Sequence, residues 1–376
     1  MKTATILVAW IAIQVPAALG QKMTHEEARR AIPARPLPGF WMTDLEALGA
    51  RWAALKCGQT RAIAKSPGGR PLRLVEFAAR EELKSEANFN SAVGAQQPAA
   101  YLDKDRRTRP VLFLVGPVHG QETEPLVGLV NLIHVMETGR DLRDRPQAAL
   151  RDLGRQCRLL ILPSGNPDGL ARFEPRSSQG MTIAQSEFWG MGTWKDGTIA
   201  LWPGSKRLHP HVGPTVGFLG CYFNDRGINP MHDEFFAPMG PEAPAILEVA
   251  RREWPDLAVS LHSHASPPAV LRPAYVPLEI QEEVKSLAER YYALLDQARL
   301  PHQKPPAPSP EGGKHPAPFN LTSALYHTSG ATAFTFESPR GVVDAKACHV
   351  DFEQMLDLHL LLFEAMMRHA LDRKTR

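Results

Sequence analysis

Four short apolar runs constrain this chain more than any other feature. They are Val111-Leu112-Phe113-Leu114-Val115, Arg158-Leu159-Leu160-Ile161-Leu162-Pro163, Leu257-Ala258-Val259-Ser260-Leu261-His262 and Ala333-Phe334-Thr335-Phe336-Glu337. Runs of this length read as strands buried on both faces. Segments with helical spacing separate or follow them, at 125–138, 243–254, 278–298 and 351–371. Alternation of this kind predicts an α/β fold, a mostly parallel sheet covered by helices. Ligand sites in such sheets lie beyond the carboxyl ends of the strands. His119 and Glu122, Asn166 and Asp168, His262, and Glu337 all fall at or just past such an end.

The chain has 376 residues, 43% of them apolar, which suffices for one large core. Its net charge is +3, and no long basic run is present, which argues against nucleic acid as a partner. The first 20 residues read as a secretory signal peptide: Lys2 is basic, residues 4–19 are apolar, and small residues precede Gln21. Residues 21–38 read as an N-terminal arm and 39–376 as a single domain. The expected product is exported, periplasmic or extracellular, with no stable membrane span after cleavage. Four cysteines, Cys57, Cys157, Cys221 and Cys348, form no Cys-x-x-Cys pair; disulfides and buried free thiols both stay open.

The stretches between these runs are read more coarsely. Residues 43–57 have helical spacing, with Thr43 or Asp44 as a cap. Residues 61–77 read as a hairpin around Ser66-Pro67-Gly68-Gly69. Residues 79–105 read as surface loop, 146–153 as a short helix, 174–220 as a long irregular connection, and 301–318, with seven prolines, as loop.

The spacing of His119 and Glu122, three residues apart at a strand-to-helix junction, suits two ligands of one metal ion. A catalytic zinc site takes three protein ligands and keeps one position open. His262 is the best third ligand, because it directly follows an apolar run. His264 is a rival, since residues two apart on a strand point the same way. Glu337 ends another run. It reads either as a general base beside the metal or as the partner of an arginine such as Arg340.

With these pieces in place, the chain resembles the zinc carboxypeptidases of the carboxypeptidase A-like family. The resemblance rests on five short motifs in family order. These are the Ser66-Pro67-Gly68-Gly69-Arg70-Pro71 turn, His119-Gly120-Gln121-Glu122, Asn166-Pro167-Asp168-Gly169, the Leu261-His262-Ser263 strand end, and Phe334-Thr335-Phe336-Glu337. It implies an eight-stranded mixed sheet between helices and a Zn²⁺ ion held by His119, Glu122 and His262, with Glu337 as base.

One family feature is missing. Where the family carries an Asn-Arg pair that grips the substrate's C-terminal carboxylate, this chain has Met231 and His232. Met231 offers no donor, and His232 lacks a forked, always-charged guanidinium. Asn229 replaces an Asp that supports a zinc-bound His in the family, though its carbonyl can still accept a hydrogen bond. Arg207, Arg226, His232 and Tyr326 are the candidates for substrate binding, Tyr326 being also matched by a structural Tyr of the family. The expected function is zinc-dependent hydrolysis of peptide bonds. The alternatives are a deacylase or amidase acting on acylated small molecules, and a non-catalytic zinc-binding module.

Overall fold

The computed structural model describes residues 20–32, 36–309, 318–344 and 348–374. The expected leader, apart from Gly20, lies outside these residues, as do 33–35 of the arm and 310–317 of the Pro-rich loop. In chain order the strands are β1 (Gln59–Lys65), β2 (Pro71–Phe77), β3 (Val111–Val115), β4 (Arg158–Leu162), β5 (Gly192–Trp194), β6 (Val216–Leu219), β7 (Leu257–His264), β8 (Ala269–Leu271) and β9 (Thr332–Pro339). The helices are α1 (His25–Arg30), α2 (Leu45–Ala53), α3 (Phe89–Gly94), α4 (Thr123–Thr138), α5 (Ala148–Arg155), α6 (Pro167–Arg172), α7 (Ile183–Met191), α8 (Glu242–Glu253), α9 (Leu278–Gln297), α10 (Leu321–Ser329) and α11 (Phe352–Lys374).

Seven strands form the main sheet, in the order β1-β2-β4-β3-β7-β9-β8. The resemblance implied eight; among the described residues β5 and β6 pair apart, as a two-stranded ribbon. The four central strands run parallel, and β1, β2 and β8 join antiparallel at the edges. Every residue of β3 and β4 is buried, and all but Arg158, which pairs with Glu253, are apolar.

Side chains alternate across the sheet and split its core in two. Leu112, Leu114, Val259, Leu261, Phe334 and Phe336 face a layer built from α4, α9 and α11. Phe113, Val115, Ala258 and Ala333 face the layer holding α8 and α10. Helix α4 is buried on almost every side and mostly apolar, as befits a helix enclosed between a sheet and other helices. It stops at Gly139, whose φ of 77° closes the last turn in the left-handed region.

The hairpin turn is tied to the far end of β4 by one carboxylate. Asp168 accepts hydrogen bonds from Ser66 Oγ (2.5 Å), the Gly68 N–H (3.0 Å) and Arg70 Nη1 (2.8 Å). The Asp225 N–H adds a fourth. Two of the five sequence motifs are therefore the two halves of one buried contact. Asn166 caps α6 through the Gly169 N–H at 2.9 Å.

Three stretches differ from the sequence reading. Residues 79–105, expected as surface loop, contain α3 and bury Phe89, Tyr101 and Leu102. Six residues are too few to show a helical period, and the Asn88 cap is the sole local signal. The 174–220 connection contains α7, started by a Thr182/Gln185 capping box that periodicity does not reveal. Helix α10 was unassigned, although Asn320 caps it and Gly330 ends it. All four cysteines are free, with Cys57 exposed and the others buried. No helix of the described residues is long and apolar enough to cross a membrane.

Candidate metal centre

Strand ends deliver the site. β3 leads through Gly116 and Pro117 to His119, and Glu122 directly precedes α4. Gly120 is obligatory between them: a Cβ there would lie 2.0 Å from the carbonyl carbon of Gly169. The His119 turn thus packs backbone to backbone on the Asn166–Gly169 turn. In the next parallel pair, His262 of β7 and Glu337 of β9 are register partners. Both alternate with Leu261 and Phe336, so they share the α8/α10 face of the sheet.

His119, Glu122 and His262 are all buried, and their ligand atoms converge. His119 Nδ1 lies 3.0 Å from Glu122 Oε1, His262 Nδ1 lies 3.0 Å from Glu122 Oε2, and the two Nδ1 atoms are 3.2 Å apart. Zinc bonds of about 2.0–2.1 Å give a tetrahedral edge of about 3.3 Å, so this spacing fits one face of such an ion's shell. Two ring nitrogens this close repel unless a proton or a metal cation sits between them.

Electrostatics agree. Burial pushes His119 down to about 4, against the pull of Glu122. Burial resists charge on Glu122, yet the two imidazoles hold it well below the usual carboxylate range. On His262 burial opposes protonation, and Glu122 outweighs it, so that imidazole is raised. The group is suited to share positive charge, and one carboxylate with two imidazoles is a donor set that zinc accepts.

A second ring of contacts fixes the ligands. His119 Nε2 faces Asn229 Oδ1 at 3.2 Å, so Asn229 accepts the bond that the sequence allowed it. Tyr222 stacks on the His119 ring at 3.4 Å between centroids. Ser260 Oγ lies 2.9 Å from His262 Nε2. Arg340 Nη2 donates to Glu122 Oε1 at 3.2 Å and Nη1 pairs with Glu187 at 3.5 Å. The alternative in which Arg340 pairs with Glu337 is not what forms.

Glu337 Oε2 is buried and finds no partner among the described residues. Burial pushes this carboxyl up to about 7, against the attraction of His262. His264, the rival ligand, stays outside the converging group, and burial pushes it down to about 4.

The substrate-binding candidates are less united. Arg207 and Arg226 are exposed, and neither is brought into the buried group. Tyr326 lies in the core, edge-on to Phe89. Met231 is buried against the sheet. His232, on the single 3-10 turn Pro230–His232, does face the site region, and Lys206 is bonded to it: Lys206 Nζ lies 2.8 Å from His232 Nε2. Burial holds His232 well below its usual range, so it is neutral and accepts from the lysine. Lys206 feels both Glu122 and Glu337, although burial lowers it to about 8. Sequence reasoning passed over Lys206 in favour of Arg207, its neighbour. A lysine in a Gly- and Pro-rich stretch without period carries no signal of burial.

Residues 57–204 match the zinc carboxypeptidase family model, a span that holds His119 and Glu122 and stops before His262 and Glu337. The fold is similar to a metallo-carboxypeptidase from Burkholderia cenocepacia, with TM-score 0.53 and 13% identity over 87% of this chain and 68% of that one. It is also similar to bovine thrombin-activatable fibrinolysis inhibitor, with TM-score 0.51 and 13% identity over 88% of this chain and 95% of that one. No curated protein sequence matches the chain.

Proposed function

On the premise that the chain is metallocarboxypeptidase-like in sequence and fold, we propose that it is a zinc hydrolase of peptide bonds with Glu337 as general base. One observation carries the reading: His119, Glu122 and His262 converge beside Glu337, whose Oε2 is buried with no partner among the described residues. A structural metal site has no need of such a carboxyl.

His119 Nδ1, one or both oxygens of Glu122, and His262 Nδ1 would hold the zinc. When bound, zinc supplies a Lewis acid and lets water ionise near neutral pH. The chain's own residues do the rest. Asn229 and Ser260 hold the two imidazoles with Nδ1 turned inward. Arg340 braces the Glu122 carboxylate by donating to its Oε1. Glu337 takes the proton from the attacking water and returns it to the leaving amine as the C–N bond breaks. A carboxyl that burial places at about 7 can do both near neutral pH.

The test is Glu337→Gln. Zinc content should stay stoichiometric while peptide hydrolysis falls about 10²- to 10⁴-fold, the usual worth of a positioned base. Undiminished turnover would remove Glu337 from the chemistry. We further propose export, supported by Lys2 and the apolar residues 4–19. Amino-terminal sequencing of the mature protein should begin near Gln21; an intact Met1 in the soluble fraction would refute it.

A further inference from the structure

The N-terminal arm packs on α7 and on the β5–β6 ribbon. Its residues 21–23 run antiparallel to 197–199: the Met23 N–H donates to the Gly197 carbonyl and the Ile199 N–H to the Gln21 carbonyl, both at 3.0 Å. Thr24 and Glu27 then start α1 with a capping box. Six residues make no stable helix in isolation, so α1 depends on what it packs against. Ala28 is 1% exposed and shares one apolar cluster with Phe188, Trp189 and Ile199, against which Met23 and Ile32 also pack. The His25 ring lies edge-on to Trp189, 5.4 Å between centroids, and 5.1 Å from Phe218.

Helix α7 faces both ways. Ala184 and Phe188, one turn apart, belong to the arm's apolar cluster. Ser186 and Glu187 meet Arg340 instead. Glu187 Oε1 pairs with Arg340 Nη1 at 3.5 Å, and the same nitrogen donates to Ser186 Oγ at 3.4 Å. Arg340 donates further from Nε to the Ser263 carbonyl at 2.9 Å and from Nη2 to Glu122 Oε1 at 3.2 Å. A second thread leaves the end of the helix. The Trp189 and Gly190 carbonyls accept from the Cys221 and Tyr222 N–H groups, and the Cys221 carbonyl accepts from the Gly120 N–H at 2.7 Å. Tyr222 stacks on the His119 ring. One thread ends on Glu122 and the other on His119. Both start from a nine-residue helix that carries Phe188 and Trp189 under the arm.

We infer that the arm is a strap for the metal centre: docked on α7, residues 21–32 hold Glu187 and Arg340 in register with Glu122, and detaching the arm weakens zinc binding. This rests on the zinc reading above and adds what controls that site. Glu187 is then a positioning residue, acting on a ligand through Arg340. Arg340 serves two carboxylates, so its charge is shared between them. With α7 displaced, the guanidinium is left to Glu122 alone, and that carboxylate becomes a poorer donor to a cation. A close-packed interior transmits a shift of this kind, because its side chains have no slack to absorb it. Proteolytic loss of the arm should therefore lower hydrolysis.

The experiment measures zinc affinity, by competition with a chelator, and peptide hydrolysis for the full chain and its variants. Ala28→Asp puts a carboxylate into the apolar contact and should release the arm. Zinc affinity should then fall about 10- to 100-fold, the usual cost of losing the outer support of a metal ligand. Glu26→Ala, on the exposed side of α1, should leave it unchanged. Glu187→Gln should cause a similar fall alone and a much smaller one in the Ala28→Asp background, because the two act by one route. If Ala28→Asp does not fold, His25→Ala gives a milder release and should lower the affinity in the same direction. Wild-type zinc affinity in every arm variant that folds overturns the strap, as do fully additive effects of Ala28→Asp and Glu187→Gln. Arm-dependent zinc binding in a protein that hydrolyses no peptide would defeat the peptidase reading and keep the strap. Hydrolysis with zinc binding indifferent to the arm would do the reverse.

Discussion

The two walls of this site are built differently. One wall is the carboxyl ends of β3, β7 and β9, which present His119, Glu122, His262 and Glu337. The other is the stretch from 202 to 232, which presents Lys206, His209, Tyr222, Asn229 and His232 from turns. The first wall is an acid–imidazole cluster, with Arg340 behind it paired to Glu122 and Glu187. The second is rich in nitrogen, and its side chains are held by bonds to one another and to the first wall. Strand ends place side chains to within a register position. Turns can change residue by residue without disturbing the sheet.

Breaking the first wall should have the largest effect. His119→Ala should lose zinc and all measurable hydrolysis, because two remaining ligands make a poor site. A variant that still holds one equivalent of zinc and still turns over would dissolve the distinction between the walls. Metal analysis with a peptide assay decides it.

The seam between hairpin and strand end comes next. Asp168→Asn keeps the shape but weakens the bonds to Ser66, the Gly68 N–H and Arg70. The expected loss is about 2–3 kcal/mol in urea unfolding, below that of a fully buried ion pair because the Arg70 side chain is 37% exposed. A loss under about 0.5 kcal/mol would show that the turn stands without its anchor.

The second wall has its own titrating support. Glu242, at the start of α8, accepts from Asn224 Nδ2 at 3.0 Å, and its Oε1 is buried without a partner among the described residues. Burial pushes it from 4.5 up to about 7. The folded carboxyl holds its proton more tightly than the unfolded one, so the wild type loses stability as pH rises from about 4.5 to about 7. Glu242→Gln should match wild type near pH 4.5 and be about 2–3 kcal/mol more stable at pH 8. Parallel unfolding curves for the two proteins across that range would show that this carboxyl is not held protonated.

The smallest effect is expected at the exposed arginines. Arg207→Ala and Arg226→Ala should change kcat/KM by less than about twofold, since exposed charges contribute little. A drop of tenfold or more at either would place substrate recognition at the exposed rim.

The sequence by itself determined the parallel core of the sheet, the helices α4, α8, α9 and α11, and the first wall of the site. The reason is physical. A strand buried on both faces must be continuously apolar, so a His or Glu at its end stands out against the run. A long amphipathic helix shows its period for the same reason. Short elements such as α3, α10 and β8 show no period. They exist because Phe89, Leu325 and Ala269 find partners far away in the chain.

Tertiary structure alone decided the second wall. Lys206 reads in sequence like any surface lysine beside Arg207. Only the packing of Trp202, Tyr222 and His232 around its ammonium makes it a half-buried cation. At Asn229 the sequence allows the oxygen to serve a ligand histidine, but only the fold shows that the nitrogen is left without a partner among the described residues. Burial and hydrogen-bond pairing are properties of neighbours, and these neighbours are brought together by the fold.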